Sequence, residues 1–439
     1  MTISEQTMSD QDFNPFDTNA PSSDAFTVSS SKSWFERIVD GFKGILFGLL
    51  LIIAAGFLLF WNEGRAARTA AALSEGAGAV ITVAADRIDP ANEGKLVHVA
   101  GDTSAPQAAR DGDFGFEAKA LKLVRKVEMY QWKEESHSET QKKLGGGEET
   151  ITRYVYSREW ADRAIDSSRF RETSGHRNPA MPAVASREFA APNARLGAFA
   201  LGDRVIGLLD ASEPFSAPDG AAAAARGRFG DRAKIAAGGV YVGANPDAPA
   251  IGDVRVAWTA LPLTPLSVVA RQTQSTFSPW TARNGNEILL VEKGVLDPAL
   301  MFKHGQDENR VMTWILRALG LLMMFIGFRL AMSLLEVIAD VVPFIGNIIG
   351  AGASLIALVC TLTLAPVIIA VAWLFYRPLV TIIALAVGAA LVYGVRELAK
   401  RRHAMRASVA PPASPNPSPA TNATGAATAP PQWGLGPRK

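Results

Sequence analysis

Between Val341 and Tyr393 the chain carries a single Asp, Glu, Lys or Arg, Arg377, whereas residues 62–310 are rich in all four. This asymmetry constrains the fold more than any other feature, because apolar runs of this length are the signature of a lipid bilayer. A second uncharged run, Gly44 to Trp61 (GILFGLLLIIAAGFLLFW), is just long enough to span. A polar stretch that includes acidic residues precedes it, unlike the short basic start of a cleaved leader. The overall charge, 44 basic against 42 acidic residues, leaves no nucleic-acid footprint.

Four spans are predicted, over 44–61, 311–329, 355–376 and 379–395. Trp61 and Trp314 suit the headgroup level, and Asn62 and Glu63 are expected in water just beyond it. Ahead of the first span, Trp34, Phe35, Ile38, Val39 and Phe42 recur at helical spacing, so 31–43 reads as an interfacial segment or an early start of the span. Arg317 lies within the second span, close enough to its end to snorkel; a functional intramembrane charge is the alternative. Pro343, Gly346, Gly350 and Gly352 interrupt the apolar run after it, so 330–354 reads as a loop with an interfacial or re-entrant segment. Arg377-Pro378 marks a tight turn before the last span. Arg396, Lys400, Arg401, Arg402 and Arg406 place the far end in the cytoplasm. Both tails then share that side, and 62–310 faces the other. Residues 1–30 and 396–439 read as disordered tails, the second basic and then Pro/Ala-rich. On such a tail the Asn422 triplet is silent as a glycosylation acceptor.

The intervening region reads as one α+β domain. KLVHVAG (95–101) alternates as a strand does, and LKLVRKVEMYQWKEE (121–135) with ETITRYVYSREW (149–160) forms a hairpin around KKLGGG. ADRAIDSSRF is taken as a short helix. RLGAFAL, GGVYVG, GDVRVAWTAL and PLSVVARQ supply further strands.

No nucleophile elbow, phosphate loop, dinucleotide fingerprint or H-E-x-x-H motif is present, and the Gly145-Gly146-Gly147 run is a hairpin connection. His98, His137, His176 and His304 lack ligand spacing, so no catalytic, cofactor or metal residues are assigned. The lone Cys360 reads as a packed residue and permits no internal disulfide. NEGR (Asn62, Glu63, Gly64, Arg65) and NEGK (Asn92, Glu93, Gly94, Lys95) invite two readings, a helix cap and a turn respectively, or one shared polar interface. GHRNP, with Gly175, His176, Asn178 and Pro179, reads as a loop that leaves His176 exposed.

These pieces, with VEMYQWKEE (Tyr130, Trp132), YSREW, SSRFRETSGHRNPA, GDVRVAW, HGQDENRVMTWILRALGLLMMFIGFRL and WLFYRPL (Arg377, Pro378), resemble the transmembrane protein 43 family, also called LUMA, in the family's order over about 44–395. The resemblance implies four spans with one large non-cytosolic domain between the first two. It also implies self-association, and in animals residence in endoplasmic reticulum and inner nuclear membranes alongside lamin-binding partners. It supplies no catalytic residues. The Ala/Pro-rich tail, alanine-heavy domain and single cysteine have a bacterial look, which would make the large domain periplasmic and the membrane a bacterial inner membrane. The expected function is a self-associating membrane scaffold, in contact with lipid and with unidentified membrane proteins but not with nucleic acid. A channel or transporter subunit using Arg317, Arg377 and the glycine-rich stretch is the alternative. An enzyme would need three or more of His98, His137, His176, Glu128 and Asp162 to converge.

Overall fold

A computed structural model describes residues 3–5 and 25–408. Among the described residues four helices are long and apolar enough to cross a membrane: α1 (Trp34–Ala79), α4 (Pro298–Ala339), α5 (Pro343–Tyr376) and α6 (Pro378–Ser408), with two short helices, α2 (Asp203–Gly207) and α3 (Gly220–Phe229), between the first pair. A large sheet-rich domain lies between α1 and α4.

The start of α1 is fixed by a capping box. The Ser33 hydroxyl accepts from the Glu36 amide, and the Ser33 amide donates to the Glu36 carboxylate at 2.9 Å. The helix then runs unbroken from Trp34 through the rest of the segment expected to be interfacial (31–43) and through the hydrated stretch (62–79), because nothing in 34–79 is a proline and the alanine-rich segment is a strong helix former. Asp297 and Pro298 start α4 in the same local manner. The loop expected over 330–354 is also helical. α4 continues to Ala339, the chain breaks at 340–342 because Val342 precedes Pro343, and α5 runs for 34 residues with Pro366 inside it. Its glycines therefore do not unwind it. The α5 helix ends at Arg377, in extended-like backbone ahead of Pro378.

The domain holds a nine-stranded and an eight-stranded sheet. The path of the first is Ile3–Glu5, Ala25–Lys32, Glu148–Ala161, Ala120–Lys142, Val254–Pro262, Gly239–Val242 and Ala233–Ala236. The second is centred on Leu96–Gly101 paired with Leu266–Thr273. Leu121, Leu123 and Val127 from the first sheet and Val97, Val99 and Val268 from the second bury against Phe114, Phe199 and Trp258 in one core. A smaller cluster joins Leu73 of α1 and Phe302 of α4 to Val269 and Ile288, and it seats the helix ends on the eight-stranded sheet. The stretch expected as the helix ADRAIDSSRF contains only the single 3-10 turn Ser167–Arg169, with Asp166 accepting from the Ser168 amide. Local side-chain bonding of this kind competes with helix.

α1 and α4 pack antiparallel through small residues. A Cβ on Gly48 would stand 2.5 Å from the Gly327 carbonyl oxygen, and one on Gly320 would stand 2.6 Å from Leu59.

The hairpin strands Ala120–Lys142 and Glu148–Ala161 are far longer than the rest and form an arm. The reading of 1–30 as a disordered tail fails at its end. Ala25–Lys32 is a strand of the domain's own sheet, in register from Ala25 opposite Val155 to Lys32 opposite Glu148, and Ile3–Glu5 pairs with it in turn. Polar composition concealed it, since a strand alternating Phe26, Val28 with Thr and Ser requires only a partner to form.

Candidate functional site at the foot of the domain

The NEGR motif lies in mid-helix, not at a cap. Asn62 and Glu63 are buried at 0% and 1% exposure, the reverse of the hydrated position expected for them. Arg317 does not snorkel. Its Nε and Nη2 donate to the two Glu63 carboxylate oxygens at 2.6 and 2.9 Å, and the indole Nε1 of Trp373 donates to the second of these at 2.8 Å. One residue from each of α1, α4 and α5 thus meets in a charge-neutral, hydrogen-bonded knot. Gly64 makes this possible, because a Cβ there would stand 2.6 Å from the Tyr376 ring. Two residues further along α1, Arg65 donates to Asn309 Oδ1, Asn62 Oδ1 and Thr313 Oγ1 at 3.1–3.2 Å, and Asn62 donates to the Thr313 carbonyl. Trp61 is 43% exposed and faces outward.

A second knot closes the opposite end of the helix pair. Arg37, 8% exposed, donates to Asp340 at 2.5 Å and to the Gly146 carbonyl at 2.6 Å, and it pairs with Glu148. Lys142 reaches Glu336 at 2.7 Å and Asp340 at 2.9 Å. Trp34 donates to the Val337 carbonyl. Gly146 has φ +80° and lies against the Trp34 ring, so the Gly-rich connection is what lets the arm tip dock. These residues escaped sequence reasoning, because Arg37, Lys142 and Asp340 are more than a hundred positions apart and sit in no motif.

In the GHRNP loop His176 is buried where exposure was expected, while Gly175, Arg177 and Pro179 stay exposed. The His176 ring stacks on Tyr156 at 3.9 Å and meets Trp132 edge-on at 4.7 Å, leaving it 5% exposed. Asn178 supplies the Trp132 backbone with a substitute strand partner, accepting from its amide at 2.7 Å and donating to its carbonyl at 2.9 Å. Gly175 takes φ +77°, and Pro179 packs on Gly252. Tyr130 meets Trp160 at a tilt, with ring centroids 5.2 Å apart. NEGK forms a turn, with Gly94 at φ +77° and Glu93 accepting from the Gln274 amide, and it shares no interface with the buried NEGR network. Asn92 and Lys95 close that turn by a backbone bond.

The residues an enzyme would need do not gather in one place: Glu128 and Asp162 adjoin the paired Met129 and Ala161, but His176 lies against Trp132 and Tyr156. Glu128 and His137 are on one strand, roughly 30 Å apart at 3.3 Å per residue, while His98 belongs to the other sheet. Burial pushes the His98 imidazole below its ordinary value. Glu128 is held below the usual carboxylate range, since Arg255 and Lys126 outweigh the opposing effect of burial.

A family model described as Transmembrane protein 43 matches residues 129–378. Transmembrane protein 43 of Rattus norvegicus is 31% identical over 370 residues, covering 80% of this chain and 89% of the relative, and the Homo sapiens protein is equally similar over 369. The Drosophila melanogaster homolog is 29% identical over 356 residues, 78% of this chain and 92% of its own. No solved structure matches. These relatives are animal proteins, so they lend nothing to the bacterial placement that composition suggested. With the family model covering more than half its length and the helical frame of an integral membrane protein in place, this chain belongs to the transmembrane protein 43 family.

Proposed function

We propose that this protein is a membrane scaffold that works by associating with copies of itself. The observation that carries the reading is the position of the arm. From Arg37 to Trp61 α1 climbs roughly 36 Å at 1.5 Å per residue. The arm from Glu134, still bonded to the Arg171 amide of the domain body, down to Lys142 covers only roughly 26 Å. The arm therefore stands beside the apolar run of α1, although it carries Glu135, His137, Glu139, Arg153 and Glu148. Charged sheet is tolerated at that depth only where protein encloses it or water fills a cavity. Neighbouring copies would enclose it without a further partner, and tethering both ends of the domain to helices raises the effective concentration for such lateral contacts.

In this reading the basic end of α6, from Arg396 to Arg406, is cytoplasmic and the body of the domain faces the non-cytosolic side: the lumen of the endoplasmic reticulum or nuclear envelope in an animal cell, the periplasm in a bacterial one. Other membrane proteins would dock on the assembled domains. A channel role is less supported, because Glu63 neutralises Arg317 and the glycine-rich stretch is closed helix.

The test places one cysteine at Ser138, on the exposed part of the arm, in a Cys360→Ala background. Mild oxidation of native membranes is expected to give a disulfide-linked dimer. Absence of that band, together with a monomer at every concentration in detergent, would remove self-association.

A further inference from the structure

Where α1 and α4 leave the apolar zone, a crevice of about 250 Å³ opens between them and the end of α5. Its walls carry three guanidinium groups, Arg310, Arg317 and Arg377, with Gln306, Asn309 and Trp314. Among the described residues no carboxylate lines it. The acids at its margin are Glu63, paired with Arg317, and Asp307, which lies 3.3 Å from Arg310. Arg65, bonded to Asn309 and Thr313 behind the wall, adds a fourth cation whose hydrogen bonds go to amide and hydroxyl oxygens. The local balance is positive in a chain whose total charge is almost zero.

Height and shape narrow the ligand. The crevice lies one to two turns beyond Trp61, at the level where indoles mark the headgroup region. Trp314, 61% exposed, forms its outer wall, and the Arg317 guanidinium, 15% exposed, is held 4.9 Å above that ring at the crevice wall. Planar guanidinium groups converging on one small space match the oxygens of a phosphate. From this we infer that the crevice binds a phosphate group, the geometry favouring that of an anionic phospholipid whose chains descend past Trp314. This site is independent of self-association through the arm.

The experiment uses the full chain purified in an uncharged maltoside detergent, with thermal stability measured against added phosphatidylglycerol, against diacylglycerol of the same chains, and against inorganic phosphate. Phosphatidylglycerol is expected to raise the Tm while diacylglycerol does not. Arg310→Gln and Arg377→Gln, which leave the Glu63–Arg317 pair intact, are each expected to weaken the apparent affinity about tenfold, the cost of losing one charge-assisted bond. Their Tm without additive checks that they fold. Inorganic phosphate producing the same rise, lost in the same variants, would keep the site and identify its source as soluble phosphate. No rise with either phosphate compound, an equal rise with diacylglycerol, or an undiminished rise in both folded variants would overturn the inference.

Discussion

At the scale of single residues, the pairing of Glu63 with Arg317 is the most consequential contact. A buried pair contributes little net stability compared with apolar residues of the same shape, but removing one partner strands the other. Glu63→Gln or Arg317→Gln is expected to lower stability in detergent by about 3 kcal/mol, and the double substitution by clearly less than the sum of the two. Equal, additive losses would show that the pair is not coupled. His98 gives a pH dependence of definite sign. Its folded pKa is lowered by burial, against weaker opposing effects of the Leu296 backbone and the Asp297 charge, so the unfolded chain takes up a proton first. Its contribution is complete above the ordinary histidine value and is lost as pH falls below it. The slope of Tm between pH 7 and 5.5 is expected to flatten in His98→Gln, and an unchanged slope would assign the effect elsewhere.

At the scale of elements, the strand Ala25–Lys32 decides how the amino-terminal segment is held. Ser30 lies directly opposite Thr150 on the arm. With Cys360→Ala as background, Ser30→Cys with Thr150→Cys is expected to form an intramolecular disulfide in membranes, seen as a mobility shift reversed by reductant. A tail lying across the bilayer from the domain would give none. The length of the arm was legible in the sequence only in part. Alternation of β-branched and aromatic residues located the hairpin around KKLGGG, yet its polar end, SHSETQK, carries no burial pattern and extends as strand solely because 148–155 and 25–32 pair beside it. The same holds for 330–354, where glycine and proline suggested a break and helix packing kept the backbone helical from Pro343 onward.

At the scale of the whole molecule, two knots of buried charge clamp the α1–α4 pair, one beneath the domain and one at the arm tip. If the pair crosses the bilayer upright, a membrane-impermeant thiol reagent added to sealed vesicles is expected to reach a cysteine at Ser174 from one face and one at Val341, which is 48% exposed beside the buried Asp340, only from the other. Labelling of both from a single face would mean that the pair lies along the membrane surface instead.

The sequence by itself determined which segments are apolar enough for lipid, where most strands of the domain run and to which family the chain is similar, because hydropathy, period-two alternation and local caps are written in neighbouring residues. Only the tertiary structure decided that Glu63 meets Arg317 and Trp373, that Arg37 meets Asp340 at the tip of an arm, and that His176 is buried between two aromatic rings. Each of those pairings joins positions far apart in the chain, and their energy comes from desolvation and geometry that no local pattern records.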